Sequence, residues 1–159
     1  MTEKKFFHAG IAVDNLDFAV SFFERIFGFE LVQSRRIDNP YLWKLIGKQG
    51  TSAEVRMMAI DSDTFLEILE WTKPDTSHQP EYHRDLDITD VGAQHLCIYS
   101  EDAESLFQRL GAEPSVEFIS AEVTEIASGP NKDAKVFFVK VFGFLFLEIF
   151  QKAPASSES

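Results

Sequence analysis

Four residues carry the chemistry this sequence offers: His8, Glu67, His95 and Glu148. Two imidazoles and two carboxylates suit one borderline divalent ion, such as Zn, Ni, Co, Mn or Fe. No local spacing joins them; repetition does. The tetrapeptide Phe-Leu-Glu-Ile occurs at 65–68 and again at 146–149. Placing His8 on His95 aligns Ile11 with Ile98, and both segments run into an acidic N-cap region and an amphipathic helix. Equivalent positions in two copies of one module would converge on a shared axis. Glu67 lies between Phe65, Leu66, Ile68 and Leu69, and Glu148 between Phe146, Leu147, Ile149 and Phe150. A mid-strand carboxylate with such neighbours is costly unless paired or bound to a metal. The plainer reading leaves one strand face open to water, and either His alone reads as a structural histidine. The set of four outweighs both. Glu70 rivals Glu67, but it falls on the opposite strand face, and the repeat pairs Glu70 with Gln151.

The elements that must position these residues can be traced by periodicity. Phe6 to Val13 reads as a strand. Asp14-Asn15 offers an N-cap, and Leu16, Ala19, Val20, Phe23, Ile26 and Phe27 form one apolar helical face ended by Gly28. Phe29 to Ile37 is strand-like, and Tyr41 to Ile46 a short helical turn. Glu54 to Ile60 and Thr64 to Trp71 form a hairpin around Asp61-Ser62-Asp63. The pattern restarts after a charged stretch. Gly92 to Tyr99 reads as a strand, Ser100 as an N-cap, and Ala103, Leu106, Phe107 and Leu110 as a helical face ended by Gly111. Val116 to Ile126 is extended, and Lys135 to Val141 and Phe144 to Phe150 close the chain as strands. The expected organisation is module one at 5–72, a linker at 73–90, module two at 91–151 and a polar tail at 152–159.

Composition narrows the function. Lys and Arg number 15 against 26 Asp and Glu, a formal charge of −11. Nucleic-acid and anionic-membrane surfaces are disfavoured partners. No apolar stretch reaches the ~18 residues of a membrane span, and no signal-peptide core opens the sequence, so a cytoplasmic location is expected. Cys97, the one cysteine, cannot form an internal disulfide and reads as a buried small hydrophobe. Arg35, Arg36 and Arg56 are candidates to hold a substrate carboxylate or phosphate, with surface ion pairing as the plainer role for any one of them.

The chain resembles the glyoxalase/bleomycin-resistance/dioxygenase (vicinal oxygen chelate) superfamily. The residues that carry the likeness are His8-x-Gly10-Ile11-x-Val13-Asp14-Asn15-Leu16, Phe22-Phe23, Phe27-Gly28-Phe29, Phe65-Leu66-Glu67-Ile68-Leu69, Gly92-x-x-His95-Leu96-x-Ile98 and Leu147-Glu148-Ile149. The resemblance implies an α+β fold in one domain, with two tandem βαβββ modules forming a cupped eight-stranded mixed sheet around the metal. A homodimer and a small-molecule substrate are implied too. It implies a lyase, isomerase or epimerase acting beside a carbonyl, with Glu148 as first choice of base and Glu67 serving the other face. Asn131 matches a loop that relatives place near the site mouth, which makes it, with Arg36 and Arg56, a candidate substrate contact. Two other functions fit the fold. An extradiol-type Fe(II) dioxygenase would use His8, His95 and Glu148, with His78, His83 or Tyr99 as further groups. A metal-free binding protein of the drug-sequestering kind would need none of the ligands. A thiol transferase is disfavoured by the lack of a basic loop. One departure stands out: Val141-Phe142-Gly143-Phe144 replaces the polar turn expected before Glu148.

Overall fold

The computed structural model describes residues 5–74 and 85–154. His78 and His83 therefore lie outside the described residues, as does most of the expected linker. The chain divides into two compact units, residues 1–81 and 82–159.

The first unit runs β1 (His8–Ala12), α1 (Leu16–Phe27), β2 (Glu30–Ile37), α2 (Pro40–Ile46), β3 (Ser52–Ala59) and β4 (Phe65–Thr72). Its sheet has the order β1-β4-β3-β2, with β1 parallel to β4 and the other pairs antiparallel. The Asn15 side chain accepts from the Phe18 amide to start α1, and Gly28 ends it in the left-handed region at φ 71°. That conformation costs glycine no Cβ clash. Leu16, Ala19, Phe22 and Phe23 of α1 are buried, as are Met58, Leu66 and Ile68 of the sheet it packs on. Each large apolar side chain so buried stabilises the fold by about 1.5–3 kcal/mol.

The second unit runs β5 (His95–Tyr99), α3 (Ala103–Gly111), β6 (Val116–Phe118), β7 (Thr124–Glu125), β8 (Lys135–Val141) and β9 (Leu145–Gln151). The order is β5-β9-β8-β6, with β5 parallel to β9 and β7 paired to β8. Leu106 and Leu110 of α3 are buried with Phe137, Leu147 and Ile149, and Phe107 packs edge-on against Phe137.

The two units share one plan down to register. His8 pairs with Phe65 and His95 with Phe146; Gly10 pairs with Glu67 and Cys97 with Glu148. The Val13 amide donates to Leu69 O and the Ser100 amide to Phe150 O. The Glu70 carboxylate accepts from the Leu16 amide at 2.9 Å, and the Gln151 side chain accepts from the Ala103 amide at 2.8 Å. Glu70 and Gln151 thus do the same work at the two helix starts, as the repeat pairs them. The units differ by α2, present only in the first, and by the short β7, which raises the strand count from eight to nine among the described residues.

Four local expectations are corrected. Asp102, not Ser100, caps α3: its side chain accepts from the Ser105 amide, while Ser100 is tied to β9. Strand β5 begins at His95, because Gly92, at φ 100°, lies in the preceding turn. The segment from Val116 to Ile126 breaks into β6 and β7. Cys97 is exposed, because it alternates with the buried-face residues of its strand.

Candidate metal centre

Successive strand residues point to opposite faces of a sheet, and directly paired residues share a face. In the first unit, one face carries Ile11, Leu66, Ile68 and Met58 under α1. The other carries His8, Gly10, Phe65, Glu67, Leu69, Met57, Val55 and Arg35. On this second face His8 Nε2 lies 3.7 Å from Glu67 Oε2. In the second unit the matching face carries His95, Cys97, Phe146, Glu148, Phe138 and Lys140, and His95 Nε2 lies 3.2 Å from Glu148 Oε2. The histidine side chains are 35% and 49% exposed and the carboxylates 15% and 21%. Each unit therefore presents one His–Glu pair, with the carboxylate sunk among apolar strand neighbours and the imidazole facing water.

The donor geometry can be tested against an ion. Two ligand atoms each ~2.1 Å from a metal, at the angles of tetrahedral or octahedral coordination, stand roughly 3.0–3.4 Å apart. The His95–Glu148 separation falls in that range, and the His8–Glu67 separation exceeds it by a few tenths of an ångström. The residues fit a borderline divalent cation in type, and the His95–Glu148 pair fits one in spacing. Among the described residues no three His, Cys, Asp or Glu side chains are grouped to hold an ion.

The surroundings of the two pairs differ. Arg35 donates from Nη2 to Glu67 Oε1 at 3.2 Å. Around Glu148 the neighbours are of another kind: Cys97 lies directly across from it in the strand register, and Phe138 stands edge-on to the His95 ring. Desolvation, and then the Glu148 charge, push the Cys97 thiol above its ordinary range, so it stays neutral. Lys140 lies on the same face one pair further along and is buried, with Nζ donating to Asp85 at 2.5 Å and to Leu86 O at 3.1 Å. The hydrogen bond to Asp85 holds its pKa above the usual lysine value.

The remaining sequence candidates go elsewhere. Arg36 and Arg56 lie on the α1 face of the sheet, opposite Glu67. Arg36 is held by Glu54 at 3.0 Å and Asp38 at 3.5 Å, and Arg56 by Val55 O and Glu54. Asn131 sits in the exposed turn before β8, its carbonyl accepting from the Ala134 amide. Sequence reasoning misses Cys97 and Lys140 as neighbours of the second pair, and it offers Arg35 a substrate rather than Glu67. Strand alternation from His95 and Glu148 could have found the first two. The unusual turn before Glu148 leaves the strand intact: Phe142 and Gly143 take φ 55° and 74° in a three-residue connection, closed by the Phe144 amide donating to Val141 O, that keeps Val141 paired with Leu145. A groove of about 690 Å³ lined by Tyr99, Ser100, Glu101, Gln151, Lys152 and Pro154 opens at the far end of β5 and holds neither pair.

Residues 5–129 match the Glyoxalase/Bleomycin resistance protein/Dioxygenase superfamily. The chain belongs to that superfamily. A 2-epi-5-epi-valiolone epimerase from Actinomyces sp. is 30% identical over 140 residues, 86% of this chain and 73% of that protein. A glyoxalase family protein from Bacillus cereus superposes with a TM-score of 0.79 at 20% identity, covering 97% of this chain and 99% of that one. Glyoxalase I from Zea mays gives 0.59 at 17% identity, over 95% of this chain and 46% of that longer protein. These two structures bear on fold alone. Among the described residues no helix is long and apolar enough to cross a membrane.

Proposed function

We propose that this superfamily member is a divalent-metal-dependent epimerase or isomerase of the glyoxalase type, acting on a small carbonyl compound. His8, Glu67, His95 and Glu148 are the residues proposed to hold the ion. The observation that carries the reading is the same His–Glu pair in the same parallel register in both units. The epimerase relative supports a proton transfer at carbon over a ring-cleaving oxidation.

When bound, a divalent ion supplies Lewis acidity that polarises the substrate carbonyl and stabilises the charge left when a neighbouring proton departs. The chain's own residues do the rest. His8 and His95 would offer ring nitrogens from water-facing positions. Glu148 takes the proton from the carbon beside the carbonyl through a carboxylate oxygen. For inversion, Glu67 would first take up a proton from water and then deliver it to the opposite side of that carbon, while Glu148 passes the proton it removed to water. Burial of both carboxylates among Phe65, Leu69, Phe146 and Phe150 lowers the local polarity, so that each charge interaction counts for more than in water. The homodimer implied by the superfamily belongs to this proposal, and sedimentation equilibrium checks it.

Elemental mass spectrometry on protein purified without chelator or metal affinity resin should find about one divalent ion per chain. In deuterated buffer, proton NMR should show exchange at the carbon beside the carbonyl in valiolone-type ketones. Glu148→Gln should slow that exchange by ~10²–10⁴-fold, the usual weight of a general base. Failure to bind Zn, Ni, Co, Mn or Fe(II), together with no exchange, would overturn the reading.

A further inference from the structure

The two His–Glu pairs repeat in register but not in support, and the difference sits on one side chain. Arg35 lies on the same sheet face as Glu67: Arg35 pairs with Val55, Val55 with Leu69, and Leu69 stands two residues from Glu67 on that face. Its Nη2 donates to Oε1 of Glu67 at 3.2 Å, while Oε2 of the same carboxylate is the oxygen nearest His8, at 3.7 Å. The two oxygens are thus divided between two neighbours. A carboxylate with one oxygen tied down has lost much of its freedom about the terminal bond, so the other oxygen faces a fixed direction.

The sheet holds Arg35 in turn. Its neighbour on the same face, Ile37, packs into an apolar cluster formed by Leu42 of α2 with Ala53, Val55, Leu69 and Trp71. This cluster exists because α2 interrupts the repeat, with Pro40 in its first turn, Asn39 as cap and Gly47 as terminator. Among the described residues the second unit has no counterpart to α2, and the neighbours of Glu148 are His95, Cys97 and Phe138 rather than a guanidinium. Both other arginines of β2 and β3, Arg36 and Arg56, are spent on the opposite face.

We infer that Arg35 is a positioning residue that fixes the orientation of Glu67 beside His8, and that α2 is the insertion that secures it. The inference rests on the proposed metal site but concerns a residue outside the four ligands. Groups that orient a metal ligand from behind commonly govern affinity by 10–100-fold when removed. Arg35→Met should therefore weaken Co(II) or Zn(II) binding by roughly tenfold or more, measured by competition with a chromophoric chelator. Arg35→Lys, which keeps the charge but not the planar fork, should recover only part of the loss.

A double-mutant cycle separates positioning from bulk charge. In a Glu67→Gln background the Arg35→Met change should have little further effect on Co(II) affinity, because the carboxylate it orients is gone. The visible spectrum of the Co(II) form should shift in Arg35→Met, reporting altered ligand geometry, while the unfolding midpoint in chelator stays at the parent value because the guanidinium is 44% exposed. If the parent protein binds Co(II) or Zn(II) and Arg35→Met binds equally well with an unchanged spectrum, the positioning role is wrong. If Arg35→Met changes binding by the same factor in the parent and in the Glu67→Gln background, Arg35 acts independently of Glu67 and the inference is overturned. If the parent binds neither ion, the metal reading itself fails, and this is seen before any Arg35 variant is made.

Discussion

Glu67 and Glu70 are three residues apart on one strand, and the structure gives them different work that a pair of substitutions can expose. Glu70 Oε2 accepts from the Leu16 amide at 2.9 Å. That amide is one of the four at a helix start with no partner inside the helix. Its hydrogen bond to a charged carboxylate contributes about 1.5–3 kcal/mol. A negative charge at a helix N-terminus adds about 0.3–1 kcal/mol. Glu70→Ala removes both and should cost about 2–4 kcal/mol. Glu70→Gln keeps the acceptor and loses only the charge, so about 1 kcal/mol is expected. The second unit already runs on that arrangement, since Gln151 accepts from the Ala103 amide at 2.8 Å. For a chain of this size each kcal/mol moves the midpoint by roughly 2–4 °C, so Glu70→Ala should melt roughly 4–16 °C lower in chelator. Urea unfolding followed by far-ultraviolet circular dichroism gives the free energy, and elemental analysis gives the metal content. Metal content should be unchanged in both variants. A Glu70→Ala protein of parental stability that has lost its metal would refute the reasoning and make Glu70 the ligand.

Two further perturbations follow from particular contacts. Gly143→Ala should cost about 1–2 kcal/mol from the left-handed backbone alone, because at φ 74° nothing lies within 4 Å of an added Cβ; urea titration checks it, and a loss well above that would point to a clash instead. Lys140 binds its proton more tightly folded than unfolded, with Asp85 as first cause. Its contribution is therefore complete below the unfolded lysine value of 10.5 and lost as pH rises through the higher folded value. The difference in unfolding free energy between the parent and Lys140→Met should be flat from about pH 7 to 9 and shift against the parent at more alkaline pH.

Much of the fold was legible because the repeat tests itself. Asn15 and Gly28 bracket α1 as their capping chemistry requires, and the pairing of Glu70 with Gln151 turns out to be a shared helix-capping role. The misses have physical causes. Ser100 and Asp102 are both good N-caps in isolation; Ser100 is excluded because its amide completes the edge of β9. Cys97 lies in a short apolar run where alternation is invisible until the partner strand fixes the faces. Arg35 and Arg36 are adjacent in sequence, yet only one reaches Glu67. Which one depends on a register shift between Leu31 and Gln33, a property of the β2–β3 pair and not of either strand alone. Phe142 takes φ 55°, a conformation its type disfavours, so Gly143 alone marks the turn before Glu148.

The helix cap and the proposed metal ligand on β4 are parts of one device. A one-residue slip of a strand moves every side chain to the other face. Such a slip of β4 would turn Glu67 into the core under α1 and bring Glu70 to the face of His8. What opposes it is the pair of contacts at the start of α1: the Val13 amide on Leu69 O at 2.8 Å and the Leu16 amide on Glu70. Both require Glu70 on the helix face, and so both require Glu67 on the other. The second unit repeats the arrangement with Ser100 on Phe150 O and Ala103 on Gln151. A polar acceptor three residues after each proposed ligand thus fixes which face the ligand occupies. The duplicated sequence keeps that spacing while its ligand surroundings diverge to Arg35 in one copy and Cys97 in the other.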